Sequence, residues 1–154
     1  GAAQILGRPW EIEGRVQAGE KRGRQLGFAT ANLALTGTLH PKHGVYALWA
    51  GVPRASDGGT DWLPAVANLG RRPTFAENDL LLEIHLLDFT GDLYGKRLRA
   101  KFVAHIRDER RFDGLDALKA QIAEDTAGAR EILSADSSPD GVSAAAPTTE
   151  SAVQ

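Results

Sequence analysis

The chain contains no cysteine, so it can hold neither a disulfide framework nor a thiolate metal site. It also contains no methionine, and therefore no initiator, which suggests a processed protein or an excised domain. Aromatic residues are sparse at 6%, and there is no strong excess of either charge. The net charge of -2 conceals an asymmetry, because residues 134–154 carry Asp136, Asp140 and Glu150 and no Lys or Arg. Setting those three aside leaves 18 basic against 17 acidic residues. A body that near to neutral argues against a dedicated nucleic-acid or membrane-surface protein. No apolar run approaches the roughly 20 residues needed to span a bilayer. The opening "GAAQILGRPW" lacks the charged-then-apolar order of a signal peptide. Lack of cysteine fits a reducing compartment, and the expected location is cytoplasmic.

What is present is an ordinary globular composition, 42% apolar and 25% charged over 154 residues, enough for one domain with its own core. The Ser-, Ala-, Pro- and Thr-rich stretch 134–154 has little to bury and reads as a disordered tail. Residues 1–9 read as a lead or linker and 10–133 as the folded unit. Within that unit the dominant period is two. In "RLRAKFVAHI", Leu98, Ala100, Phe102, Ala104 and Ile106 point one way, while Arg97, Arg99, Lys101 and His105 take the other face. Further strands are expected at 10–18, 44–52, 62–70 and 80–89, separated by Gly-, Pro-, Asp- and Asn-rich turns. One helix follows, with Asp113 as N-cap, Asp116 at the capping-box position, and Leu115, Leu118, Ile122, Ile132 and Leu133 as its apolar stripe. Strands, short turns and a single helix point to a closed antiparallel barrel, an all-β class.

Three features could carry chemistry. The stretch "GEKRGRQLGFATANL" spaces Gly19, Gly23 and Gly27 four apart, with Lys21, Arg22 and Arg24 between them. Glycines let backbone N–H groups converge on an anion, and the cations balance phosphate charge. A mobile, solvated surface loop is the competing reading, and the spacing alone does not choose. Thr30 and Asn32, two apart in an extended segment, face the same way. Their oxygens suit Mg²⁺ that keeps waters and bridges phosphates, although a turn-forming Asn beside a β-prone Thr has the same spelling. Glu83 interrupts the apolar run "LLLEIHLLDF", with His85 on its face. Burial would raise its pKa toward that of a base, so it is a candidate general base or metal ligand, or a scaffold carboxylate at a barrel edge that reaches water or pairs with a nearby Arg. His85 reads as a scaffold histidine, since His40, His43 and His105 offer no spacing for a third zinc ligand.

Taken in order, these segments resemble the riboflavin kinase family, specifically the kinase module of bacterial bifunctional riboflavin kinase/FAD synthetases. "GRQLGFATAN" resembles the signature Gly-Arg-x-Leu-Gly-Phe-Pro-Thr-Ala-Asn, and "GVYAL", "VANLGRRPTF", "LEIHLLDFTGDLYGK" and "RDERRFDGLDALKAQIAED" resemble later blocks. The resemblance implies a six-stranded Greek-key barrel with a C-terminal helix. It also implies ATP- and Mg²⁺-dependent phosphorylation of riboflavin at the ribityl 5′-hydroxyl, giving FMN and ADP. Carried over by position, Glu83 is the catalytic base, and Thr30 and Asn32 hold the metal and nucleotide phosphates. Gly19, Lys21, Gly23, Arg24 and Gly27 belong to the ATP flap, and Arg107 and Phe112 to the flavin side. The signature Pro is Ala29 here, which implies a less pre-organised approach to Thr30. The adenylyltransferase half is missing, so FMN and not FAD is the expected product, with such a domain expected ahead of this one in a parent chain. A non-catalytic flavin-binding barrel and a small nucleic-acid-binding barrel are the competing readings.

Overall fold

A computed structural model describes residues 4–17, 29–36, 41–54, 56–71, 79–89, 93–110 and 113–136. Six strands precede one helix: β1 (Gln4–Arg15), β2 (Ala29–Thr36), β3 (Gly44–Pro53), β4 (Thr60–Arg71), β5 (Asp79–Leu86), β6 (Arg97–Arg107) and α1 (Leu115–Ala135). They form one antiparallel sheet in the order β1-β6-β3-β4-β5-β2. The all-β class with a C-terminal helix is therefore as expected. Among the described residues the two edges of the sheet are joined just past the end of β1 by an isolated bridge, where the Gln17 N–H donates to the Asn32 carbonyl of β2 at 2.8 Å. The closed ring expected from the strand pattern is thus drawn by one bridge, not by a ladder. Strand β1 starts at Gln4, six residues ahead of the expected start, because Gln4 and Ile5 already pair with His105 and Ala104.

Alternation explains the two faces. On β5, Leu80, Leu82, Ile84 and Leu86 are buried in the main core, and on β2 so are Ala31, Leu33 and Leu35. Complete burial of a Leu stabilises by roughly 1.5–3 kcal/mol, so this inner face supplies most of the fold's cohesion. The intervening residues of the same strands face outward. A second, smaller core forms there, where Val45, Ala47, Trp49 and Val66 meet Ala129 and Leu133 of α1.

Strand β6 departs from the expected alternation. Phe102 pairs with Leu48, Ala104 with Ala47, His105 with Tyr46 and Arg107 with Val45, so Val103 and Ile106 are each an extra residue. These two bulges bend the strand and change which face each later side chain takes. His105, expected on the solvated face, instead packs edge-on against the Tyr46 ring, with centroids 5.2 Å apart. Ile106, expected beside Phe102, packs against the helix-side cluster. Gly44 permits this, since its φ is +149° and a Cβ there would strike the His105 ring.

The helix also differs in detail. Its N-cap is Gly114, whose carbonyl accepts from Leu118 N at 3.2 Å, and no side chain caps it. Asp113 lies one residue too early for the expected capping box. Asp116 instead sits in the first turn, where a carboxylate favours the helix dipole. Leu115 is half exposed, whereas Asp125, Ala129 and Leu133 are buried. No helix among the described residues is long and apolar enough to cross a membrane.

Candidate active site

Strand register sets outward-facing residues of five strands in one line. Asn32 on β2 pairs with Glu83 on β5, Glu83 with Asn68 on β4, Asn68 with Val45 on β3, and Val45 with Arg107 on β6. Neighbouring strands lie about 4.8 Å apart, so the line steps across the sheet at that interval. A second row, two residues along, runs Thr30, His85, Val66, Ala47. Glu83, remote in sequence from Thr30 and Asn32, is therefore brought together with them on one face. Glu83 is half-buried and stands between the Thr30/Asn32 end and the helix end of the row.

A cavity of about 170 Å³ opens beside Glu83 under the first half of α1. Its walls include Asn68, Glu83, His85, Glu109 and, from the helix, Leu118 and Ile122. Arg107 also lines it, but its guanidinium is turned to the helix. Nε donates to both Asp125 carboxylate oxygens at 3.1 and 3.2 Å, and Nη2 donates to Oδ2 at 2.9 Å. Gln121 Nε2 adds a donor to Asp125 Oδ1 at 3.0 Å. Two parallel N–H···O bonds fix a carboxylate in direction as well as distance, so this buried pair sets where α1 crosses the sheet. Asn68 Nδ2 donates to Glu109 Oε2 at 2.9 Å, and the Glu109 carboxylate occupies the space where a Cβ on Gly70 would stand. Gly70 thereby lets the segment after β6 lie against β4.

Two histidines differ in role. Burial pushes the His85 imidazole down to about 4, so it is neutral near pH 7, and its Nδ1 lies 3.3 Å from Thr30 Oγ1. His105 is lowered by burial and by Lys42, opposed by Asp108 and the His43 backbone. Burial, helped by Asp108, pushes the Tyr46 hydroxyl up to about 12.

Thr30 and Asn32 contribute neutral oxygens, and the Glu83 carboxylate is Asn32's cross-strand partner. Such a set fits Mg²⁺, which takes few protein ligands and completes its shell with water and phosphate. Of the other anticipated site residues, Gly19, Lys21, Gly23, Arg24, Gly27 and Phe112 lie outside the described residues. Asn68, Glu109 and Asp125 had not been singled out. Asp125 was detectable, because it interrupts the stripe Leu118, Ile122, Ala129, Leu133 at an apolar position of helical spacing.

The family model described as Flavokinase: Riboflavin kinase matches residues 6–133. A bifunctional riboflavin kinase/FMN adenylyltransferase of Escherichia coli is 46% identical over 132 residues, covering 86% of this chain and 41% of that one. Among solved structures, a riboflavin kinase from Trypanosoma brucei superposes with a TM-score of 0.59 at 27% identity, covering 82% of this chain and 80% of that one. A macrolide-efflux protein from Streptococcus pneumoniae superposes with a TM-score of 0.68 at 32% identity, covering 80% and 39%. That likeness concerns only the matched part of the longer chain. This chain spans about 41% of the length of the E. coli relative.

Proposed function

The chain belongs to the riboflavin kinase family, and from that premise we propose that it transfers the γ-phosphoryl group of ATP to the ribityl 5′-hydroxyl of riboflavin, giving FMN and ADP. The observation that carries this reading is the order of the row: Thr30 and Asn32 at one end, Glu83 in the middle, and the cavity beneath α1 at the other. A phosphoryl donor held at the first end and an alcohol acceptor in the cavity would meet beside a carboxylate.

Phosphoryl transfer asks a protein mainly for positioning and charge neutralisation. In the proposed step the 5′-oxygen forms a bond to the γ-phosphorus as the bond to the ADP oxygen breaks. Glu83 accepts the hydroxyl proton, which keeps the attacking oxygen from building positive charge. Thr30 and Asn32 offer the neutral oxygens that would hold Mg²⁺, whose contribution when bound is to offset phosphate charge. Gly19, Lys21, Gly23, Arg24 and Gly27 are assigned to a covering segment that excludes water from the donor. Phe112 is assigned to the flavin side. Arg107 is assigned there too, acting by holding Asp125 and so the helix that roofs the cavity. The family model accounts for the kinase step alone, and the adenylyl transfer named for the relatives is not assigned to these residues.

Chromatography of riboflavin incubated with the protein and Mg-ATP tests the reading. FMN should accumulate, and Glu83→Gln should slow its formation by roughly 10²- to 10⁴-fold with an unchanged melting temperature. Turnover retained in that variant removes Glu83 from the role. Quenching of riboflavin fluorescence without any FMN would favour a flavin-binding barrel, the alternative that Ala29 raises.

A further inference from the structure

The row containing Thr30 includes a side chain to which the proposed mechanism assigns nothing. His85 is the cross-strand partner of Thr30, and its Nδ1 lies 3.3 Å from the Thr30 hydroxyl oxygen. On its other side the partner across the sheet is Val66. We propose that His85 is a positioning residue whose Nδ1 accepts the Thr30 hydroxyl proton, leaving the oxygen lone pairs for the divalent cation that accompanies the nucleotide. This rests on the assignment of Thr30 as a ligand of that cation.

The argument is one of hydrogen inventory. A threonine hydroxyl has one proton and two acceptor lone pairs. If it accepted an N–H from the ring, one lone pair would be occupied and its own proton would be left to turn toward the cation. If it donates to the ring, both lone pairs stay available and the proton is held away. The branched Thr side chain is stiff about χ1, so rotation of the O–H is its main remaining freedom, and an acceptor within reach removes that freedom. Asn32 needs no such partner, because the amide carbonyl carries no proton on its ligating oxygen. The inference therefore explains why one member of the pair faces a histidine while the other faces Glu83.

Mn²⁺ binding followed by electron paramagnetic resonance, in the presence of saturating ADP, reads the effect without turnover. Thr30→Ala and His85→Phe should each weaken Mn²⁺ binding by about five- to tenfold, the worth of one hydrogen bond or neutral ligand. The double variant should be no weaker than Thr30→Ala alone, since the ring acts through the hydroxyl. His85→Asn, whose amide oxygen can stand near the Nδ1 position, should recover most of the affinity. The far-ultraviolet circular dichroism and the cooperativity of thermal unfolding should be preserved in all of them, which general damage to the fold would not allow. If His85→Phe does not fold, His85→Gln replaces it, because its amide reaches the Nε2 position and not Nδ1. Wild-type Mn²⁺ affinity in His85→Phe or His85→Gln, with weakening in Thr30→Ala, overturns the role of His85 and leaves the ligand assignment standing. Wild-type affinity in Thr30→Ala and Asn32→Ala overturns both.

Discussion

The two faces of β5 are built from alternate residues of one eight-residue strand, yet they answer to different demands. Leu82 and Ile84 point inward and are fully buried among other aliphatic side chains. Glu83 points outward between Asn32 of β2 and Asn68 of β4, and His85 between Thr30 of β2 and Val66 of β4. The inner face requires only volume and apolarity, so many sequences would serve. The outer face requires particular atoms at particular registers. Fold and site are thus separable by parity, and a substitution on one face should leave the other's function largely intact.

The largest effect should come from the outer face, in the loss of turnover in Glu83→Gln described above. Its inner neighbour should behave in the opposite way. Leu82→Ala is expected to cost about 2–5 kcal/mol of stability in denaturant unfolding, while the folded fraction keeps near-normal Michaelis constants. A Leu82 variant that is stable but inactive would break the separation.

Asp125 tests the helix side of the same comparison. Removing one partner of a buried ion pair strands the other charge, so Asp125→Ala should lose about 3 kcal/mol, and riboflavin affinity should fall while Mn²⁺ affinity does not. Replacing both partners, as in Arg107→Met with Asp125→Leu, should recover most of the stability. Recovery of stability without recovery of riboflavin affinity would show that the pair acts on the ligand directly.

A smaller effect should follow pH. His105 has its pKa pushed below the ordinary histidine value of about 6.5, by burial first and by Lys42 second, with Asp108 and the His43 backbone opposing. Below about 6.5 the unfolded chain therefore takes up a proton that the folded chain resists. Stability is full above that value and declines as the pH falls toward the depressed folded pKa. Melting temperatures at pH 7.5 and 5.5 should differ less in His105→Gln than in the wild type.

The smallest effect belongs to Ala29, the first residue of β2 and the partner of Leu86. Proline is tolerated at a strand's first position, and Ala29→Pro should tighten Mg-ATP binding by about 0.4–1 kcal/mol through lost freedom in the unbound chain. An unchanged Michaelis constant for ATP would mean that the approach to Thr30 is ordered by other contacts.

Much of this was legible in the chain itself. Alternation located β3, β4, β5 and β6 within a few residues, because inward positions must be apolar wherever a sheet has one buried face. Glu83 was conspicuous as a carboxylate in an aliphatic run. The resemblance in "GRQLGFATAN" singled out Thr30 and Asn32. The row itself was not legible, since the pairing of Asn32 with Glu83 and of Glu83 with Asn68 is set by register between strands remote in sequence. Nor were the bulges, because Ala104, His105 and Ile106 fit an unbroken alternation letter by letter. The role of Asp125 was not legible either, since its partner Arg107 lies on β6 and only the packing of the helix on the sheet brings the two together.

The bulges at Val103 and Ile106 bear on how this chain can change over time. Between Phe102 and Arg107 a change in length would shift the pairing of every later residue with β3. Losing Ile106 would not shorten β6 harmlessly. It would leave a single residue opposite Val45 and change the spacing that carries Arg107 to Asp125. An insertion there would have the mirror consequence. Related chains that keep the helix over the cavity should therefore vary in the letters of this segment while holding its residue count fixed.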